Sequence, residues 1–261
     1  MSRHQEKARL AAQTALGAGY FEAVLEAPAI ARDARTGQFA LVGCRPADEP
    51  LVDPILLRPF SFLARDPAAG TVSIFYRVVG RGTDLLSRAH EGDRFELVGP
   101  LGRAWPEPEA REVLLVAGGV GMPPLLDLAI ELGADHEVTV FYGGRSKDHI
   151  HLVDRFEAAG ARLVVTTDDG SLGARGTNVE ALRAHLEHGD HAPTVYACGP
   201  EGMLAATAAL TREKDVRAFV SVEAPMACGI GVCRGCAVRT KDGYRMACVD
   251  GPVFDAREVY P

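Results

Sequence analysis

Four of the chain's six cysteines fall in one window of 21 residues near its end. It reads Glu223-Ala-Pro-Met-Ala-Cys228-Gly-Ile-Gly-Val-Cys233-Arg-Gly-Cys236, and Cys248 follows a short polar, hairpin-like segment. Four, two and eleven residues separate the successive cysteines. Gly229, Gly231 and Gly235 stud the loop, and residues without a Cβ let a backbone fold tightly and turn its N–H groups inward. Inward N–H groups are what a negatively charged, sulfide-rich cluster needs, because hydrogen bonds to sulfur tune its potential. The four-then-two spacing matches the plant-type arrangement for a [2Fe–2S] centre, with a shorter reach to the fourth cysteine. Structural zinc also takes four thiolates but usually arrives as two short Cys pairs, and here only one short pair exists. Disulfides need an oxidising compartment, of which the chain gives no sign. The window alone favours iron–sulfur over zinc, with disulfides well behind.

Two further stretches carry chemistry. Gly118-Gly119-Val-Gly121-Met-Pro-Pro124 follows an apolar run and opens a helical one. Glycines at a strand–helix junction let a pyrophosphate approach the unpaired N–H groups of a helix start. Prolines replace the third glycine of the usual dinucleotide fingerprint, so a plain tight turn in a doubly wound sheet competes with that reading. Arg58-Pro59-Phe60-Ser61 offers a guanidinium able to clamp a pyrophosphate and a hydroxyl within reach of a flavin ring. Phe75-Tyr76-Arg77 adds an aromatic face and a cation, and Gly80-Arg-Gly82-Thr83 a glycine turn into another helix start. A surface arginine beside a turn is the plain alternative for the first. His149, His151, His185, His188 and His191 lie at expected helix ends and loops and read as solvated side chains, and Cys44 as a buried structural thiol.

The elements that must position these residues change character midway. Residues 1–19, rich in alanine and charge, read as a short helical or frayed leader. Short β-prone runs follow, among them Tyr20–Leu25, Gln38–Val42, Thr71–Val79 and Arg94–Val98, broken by Gly, Pro and Asp, which predicts a small β-barrel. Residues 100–108 hold three prolines and read as a linker. Beyond it, apolar strands alternate with helices: 112–117 with 125–132, 137–142 with 153–159, 162–166 with 178–187, and 194–198 with 202–213. Such alternation means a parallel sheet covered on both faces, with 218–222 as a last strand. The expectation is therefore α/β plus all-β, with a β-barrel domain at 1–108, a doubly wound parallel α/β domain at 109–222 and a small domain built on the cysteine window at 223–261. At 261 residues and a formal charge of −7 the chain is long enough for such domains and has no basic surface for nucleic acid. No apolar stretch approaches the ~20 residues that span a bilayer. The reading is a cytoplasmic protein that is not integral to a membrane.

Arg-Pro-x-Ser, Tyr-Arg-Val-x-Gly-x-Gly-Thr, Gly-Pro-Leu-Gly, Gly-Gly-Val-Gly-x-Pro-Pro, Cys-Gly-Pro and the four-cysteine tail occur here in that order. Together they resemble the ferredoxin-reductase superfamily and, within it, the electron-transfer subunits of class 1B dihydroorotate dehydrogenases, over about residues 20 to 261. The resemblance implies that residues 1–108 are an FAD-binding β-barrel domain, 109–222 an NAD-binding α/β domain and 223–261 a [2Fe–2S] domain, with FAD contacts at Arg58, Pro59, Phe60, Ser61, Phe75, Tyr76, Arg77, Gly82 and Thr83. It implies nucleotide contacts at Gly118, Gly119 and Gly121, a nicotinamide-side place for Cys198, and cluster ligands at Cys228, Cys233, Cys236 and Cys248. Where NADPH-using relatives carry a Ser-Arg pair, this chain has Asp168 and Asp169, which would repel a 2′-phosphate and accept from a ribose diol, so NAD is expected, with an acidic surface loop capping the next helix as the plain alternative. Two departures stand out: Thr36 replaces the usual proline before Gly-Gln-Phe, and Arg103-Ala-Trp105 replaces Asn-Gly-Phe.

No pair of titratable groups is poised to deprotonate dihydroorotate. The resemblance implies a wire in pyrimidine (UMP) biosynthesis: a separate FMN-bearing dihydroorotate dehydrogenase subunit delivers electrons through the cluster and FAD to NAD⁺, in a heterotetramer of two of each subunit. The superfamily also contains reductase subunits of hydrogenases and NADPH:ferredoxin transhydrogenases. In the latter an aspartate commonly stands where Cys228 is. A third possibility is a non-catalytic nucleotide-binding module with structural zinc.

Overall fold

The computed structural model describes residues 2–49, 53–188 and 192–261. The chain opens with a long strand, β1 (His4–Gly17), followed by β2 (Tyr20–Glu26), the short helix α1 (Pro28–Asp33), β3 (Phe39–Val42), β4 (Arg58–Asp66), β5 (Thr71–Arg77), α2 (Arg81–Ser87) and β6 (Arg94–Leu101). These strands close into a barrel in the order β1-β2-β5-β4-β3-β6. The leader expected at residues 1–19 is thus corrected: His4–Gly17 is barrel strand, not helix. Its first half pairs with β6 and its second half with β2, so this one strand closes the barrel. Alanine-rich composition suggested helix, but Ala8 and Leu10 point inward while Lys7 and Arg9 face out, the period of a strand. Intrinsic propensity is a weak prior, and pairing to two neighbours overrides it. The linker stretch also starts later than residue 100, because Gly99–Leu101 still belongs to β6.

The second half builds β7 (Glu112–Gly118), α3 (Pro123–Leu132), β8 (Glu137–Gly144), α4 (Val153–Ala158), β9 (Arg162–Thr167), β10 (Ala174–Arg175), α5 (Asn178–His188), β11 (Thr194–Cys198), α6 (Glu201–Glu213) and β12 (Arg217–Ser221). A hairpin, β13 (Ala237–Thr240) and β14 (Gly243–Met246), then precedes β15 (Val253–Asp255) and α7 (Ala256–Val259). The large sheet has the order β10-β9-β8-β7-β11-β12-β15, parallel except for β15, which runs antiparallel to β12. The C-terminal segment therefore returns to the edge of the nucleotide-type sheet after the cysteine loop.

The central strands β7 and β11 are buried along nearly their whole length, as strands covered on both faces must be. α3 is buried almost all round, with Pro123–Ala129 and Leu132 out of solvent, because it lies between the sheet and barrel strand β4. Among the described residues no helix is long and apolar enough to cross a membrane.

Candidate flavin, nucleotide and cluster sites

The barrel strand β4 and its neighbour β5 form one wall of a cavity of about 570 Å³, within the range of small-molecule and cofactor pockets. Pro59, Phe60, Ser61, Phe75, Tyr76, Arg77 and Thr83 line this wall, and Cys198, Ser221–Met226 and Pro252 close the other side. Phe60 meets the Tyr76 ring edge-on at 5.8 Å, so the aromatic side chains hold one another in place. The shape and the mostly apolar wall, with a hydroxyl and a guanidinium at its rim, fit a flavin ring. Arg58 and Gly82 are not part of the lining. They lie close to each other: a Cβ on Gly82 would sit 3.6 Å from Arg58 Nε and 3.2 Å from Cys44 Sγ. The turn leading into α2 is ordered from within: Thr83 Oγ1 accepts the N–H groups of Val79 and Gly80 at 3.0 and 3.3 Å.

A second cavity of about 710 Å³ opens at the C-terminal ends of β7, β8, β9 and β11, the place where doubly wound sheets bind ligands. Gly118, Gly119, Gly121 and Asp168 all line it, with Arg145, Thr177 and Asn178. The glycines have different reasons. A Cβ on Gly121 would fall 2.5 Å from the Cys198 carbonyl, so this glycine lets the turn press against the end of β11. Gly119 has nothing within 4 Å and is the one whose open backbone a pyrophosphate could approach. The paired aspartates also divide. Asp168 faces the cavity, whereas Asp169 accepts the N–H and O–H of Ser171 at 2.9 and 2.6 Å, and these bonds hold its carboxyl below the usual range.

The two cavities share Arg77, Val79, Val120 and Glu223. Glu223 was visible in the sequence only as the residue opening the cysteine window. Its place at the junction depends on β12 ending at the sheet's C-terminal edge, which no local spacing encodes. Burial raises its carboxyl above the ordinary value. Cys198, inside the flavin-side lining, is buried, and that burial, with Glu223 nearby, pushes its thiol up to about 12. Burial thus favours its neutral form.

Five residues beyond Glu223 the cysteine loop begins. Cys228 accepts the Cys233 N–H at 3.4 Å, and the backbone N–H groups of Cys233 and Ile230 draw its thiol down to about 6. Gly235 donates to Cys233 Sγ at 3.5 Å, and Cys236 Sγ lies 3.2 Å from Cys248 Sγ. The inward N–H groups expected of the glycine-rich loop are present. Cys228 and Cys233 are thus linked through the Cys233 N–H, and the sulfurs of Cys236 and Cys248 face each other, giving two pairs of thiols. Two thiolates for each of two irons is the ligand count of a [2Fe–2S] centre, so the donor set fits that group. Cys44 is buried, as expected of a structural thiol.

The histidines are less uniform than solvated side chains. His151 packs on the Tyr20 ring at 4.3 Å, His149 faces the nucleotide cavity, and His185 pairs with Glu112 at 2.9 Å. His188 is exposed, and His191 lies outside the described residues.

Comparisons with known proteins agree with this arrangement. Residues 223–260 match the iron–sulfur cluster binding domain of dihydroorotate dehydrogenase B, and residues 115–209 the oxidoreductase NAD-binding domain. The dihydroorotate dehydrogenase B (NAD(+)) electron transfer subunit of Desulforamulus reducens is 39% identical over 90% of both chains. That of Shouchella clausii is 35% identical over 99% of both. A chain in the structure of an NADH-dependent reduced ferredoxin-NADP oxidoreductase superposes with a TM-score of 0.85 at 31% identity, covering 97% of this chain and 90% of its own.

Proposed function

The chain belongs to the family of dihydroorotate dehydrogenase B electron transfer subunits, and on that premise we propose that it carries electrons from a dihydroorotate-oxidising, FMN-containing subunit to NAD⁺ in pyrimidine biosynthesis. A [2Fe–2S] cluster supplies one-electron transfer, FAD the conversion between one-electron and hydride chemistry, and NAD⁺ the final acceptor. One observation carries the reading: flavin cavity, nucleotide cavity and cysteine loop form a continuous series. Residues 222–226 line the flavin cavity and run into Cys228, while Arg77, Val79, Val120 and Glu223 face both cavities.

Each residue's part follows from its place. Cys228 and Cys233 would hold one iron, Cys236 and Cys248 the other. Pro59, Phe60, Ser61, Phe75 and Tyr76 hold and orient the flavin ring, Arg77 and Thr83 stand at its rim, and Arg58 and Gly82 take the pyrophosphate end. Gly118, Gly119 and Gly121 shape the nucleotide turn. Asp168 accepts from the ribose diol and disfavours a 2′-phosphate. Cys198, fixed beside Glu223, packs the wall between the cavities without acting as a nucleophile. Domain limits of 1–108, 109–222 and 223–261 suit this division, except that β15 serves the middle domain's sheet.

Ile230, Val232 and Tyr244 are exposed on the cluster lobe and offer apolar surface for the catalytic subunit, in a complex of two copies of each. A cytoplasmic location fits the thiol ligands. The likeness to the NADH-dependent reductase leaves this reading in place, because Cys228 stands where transhydrogenase-type relatives commonly carry aspartate. The test is anaerobic titration with NADH. Flavin bands should bleach first and thiolate-to-iron bands after, and dihydroorotate should reduce both only when the catalytic subunit is added. A colourless, zinc-loaded protein overturns the reading.

A further inference from the structure

The site residues account for what each cavity holds but not for how the two are kept in line. The flavin wall belongs to the barrel and the nucleotide turn to the α/β sheet, so the gap between the two reacting rings depends on how α3 sits against β4. At α3 one guanidinium spans that seam with all three nitrogens engaged. Arg65, in β4 four residues beyond Ser61, donates from Nε to both oxygens of Asp127 at 2.8 and 3.1 Å, and from Nη2 to Glu131 at 2.8 Å. Its third nitrogen, Nη1, donates to the Ala34 carbonyl at 2.8 Å and fastens the guanidinium to the barrel. Only 13% of the Arg65 side chain and 5% of that of Asp127 reach solvent. Thr36 donates to Glu131 at 3.2 Å, and Trp105 Nε1 donates to the Pro124 carbonyl at 3.1 Å, so α3 is gripped along its barrel-facing side.

A buried ion pair is weak evidence for stability, because apolar side chains of similar volume often serve as well. What it adds is direction. A planar guanidinium with all three nitrogens engaged admits one register of its partners, which packed methyl groups would not enforce. Asp127 lies four residues, about 6 Å along the axis, from Pro123, where the nucleotide turn becomes helix.

We propose that Arg65 and Asp127 are positioning residues for hydride exchange: their pair sets the register of the nucleotide-bearing helix against the flavin-bearing strand. This rests on the reading that NADH and FAD react in the shared cavity, NADH giving one hydride and solvent one proton as FAD becomes FADH2 and NADH becomes NAD⁺. Misalignment by about 1 Å costs on the order of 100-fold in rate, so loss of the link is read directly in the hydride step.

The experiment is anaerobic stopped-flow reduction of the full FAD- and cluster-loaded chain at saturating NADH, with NADH and with NADH deuterated at the transferred position. The variants are R65K, D127N and the paired apolar replacement R65M/D127L. R65K and D127N should retain flavin and cluster spectra yet reduce about 10- to 100-fold more slowly, with the deuterium isotope effect at least as large as in the parent. R65M/D127L should regain the parent's melting temperature but not its rate. Parent-like rates in the single variants overturn the proposal, as does recovery of both rate and stability in the double variant. A parent protein that dithionite reduces but NADH does not would instead sink the proposed function.

Discussion

The barrel meets its two neighbours through seams of opposite kind. Toward the cluster lobe the contact is apolar and shape-fitted. A Cβ on Gly229 would lie 2.7 Å from Leu41 Cδ1 and 3.0 Å from Leu101 Cδ1, and one on Gly102 would lie 2.5 Å from Pro252. The Arg103 N–H donates to the Gly251 carbonyl, and among the described residues no ion pair crosses this seam. Toward the nucleotide domain the contact is polar and surrounds an open cleft. Arg65 grips Asp127 and Glu131, and Arg155 holds Glu22 through two bonds of 2.7 and 2.6 Å. Cluster and flavin stay bound through turnover, so a fixed, close-packed seam suits them. The nucleotide must enter and leave, so alignment there falls to directional bonds beside the opening.

If the seams are this distinct, damage to one should leave the other's half-reaction intact. The largest effect is expected from Cys233→Ser, which removes a thiolate from the first sulfur pair. Loss of an outer partner alone typically costs about 10- to 100-fold in metal affinity, so loss of a ligand should empty the site. Electron exchange with the catalytic subunit should vanish along with the thiolate-to-iron absorbance, while NADH reduces the flavin at the parent rate. A variant that kept its cluster but lost NADH reduction would reverse the proposed order. Gly229→Val should come next. It places a β-branched residue at φ +66° and drives its Cβ into Leu41. The backbone term is about 1–2 kcal/mol and the overpacking about 1–3 kcal/mol, so about 3 kcal/mol of stability should go, read by denaturant titration. The comparison breaks if this variant slows NADH reduction of the flavin as much as it disturbs the cluster.

The seams also differ in how far they could be read from sequence. The cysteine loop is local: spacing and glycines announced the metal, and its inward N–H groups proved to be in place. The strand–helix alternation after residue 112 was equally legible, because β7 and β11 are apolar without interruption. What escaped depended on partners distant in the chain. β1 looked like a frayed helix since its alternating Ala8 and Leu10 mean nothing until β6 and β2 flank it. Trp105 was a departure from the family pattern without a role, and its backbone N–H donates to the Thr36 carbonyl of the barrel at 2.9 Å while its Nε1 donates to the Pro124 carbonyl of α3, tying the linker to both domains. Arg65 and Asp127 matched no motif at all, because β4 and α3 must meet before either has its partner, and Glu223 was only the residue that opened the cysteine window. Of the aspartate pair, the sequence suggested two equivalent carboxylates, and only the Asp169–Ser171 turn separates the one that is engaged from the one that faces the cleft.

Asp168 offers a finer test on the nucleotide side. Asp168→Ala removes the acceptor facing the cleft without touching the turn that Asp169 holds. A hydrogen bond to a charged group is worth about 1.5–3 kcal/mol, so the KM for NADH should rise at least tenfold with little change in the maximal rate of flavin reduction. The KM for NADPH should fall or stay level, since a repelling charge is gone. An equal rise for both nucleotides would mean that Asp168 supports the cleft's shape and reads neither ribose. Cluster and flavin spectra should not move, as the site lies on the far side of the nucleotide seam.

The smallest effect is expected at Cys198, where the nucleotide turn and the flavin wall touch. A catalytic thiol would have to ionise, and here burial raises the pKa from an ordinary value of 9.0 to about 12. The folded state therefore keeps the proton through a range in which the unfolded chain has lost it. The sign follows: below about pH 9 the group has no effect on stability, and between about 9 and 12 stability falls as pH rises, because the unfolded state binds fewer protons. Two measurements check this. Alkylation of Cys198 by iodoacetamide in the folded, flavin-loaded protein should be far slower than that of a free thiol at every pH from 7 to about 10 and should not level off near pH 9, where a free thiol's rate saturates with its thiolate fraction. Cys198→Ala should change the rate of flavin reduction by no more than about threefold, under about 1 kcal/mol of barrier, with no inflection lost from the pH profile. A large rate loss with an inflection near the ordinary thiol pKa would make Cys198 a participant. The junction of the two cavities would then be a place of proton chemistry, not simply the point where two rings are brought together.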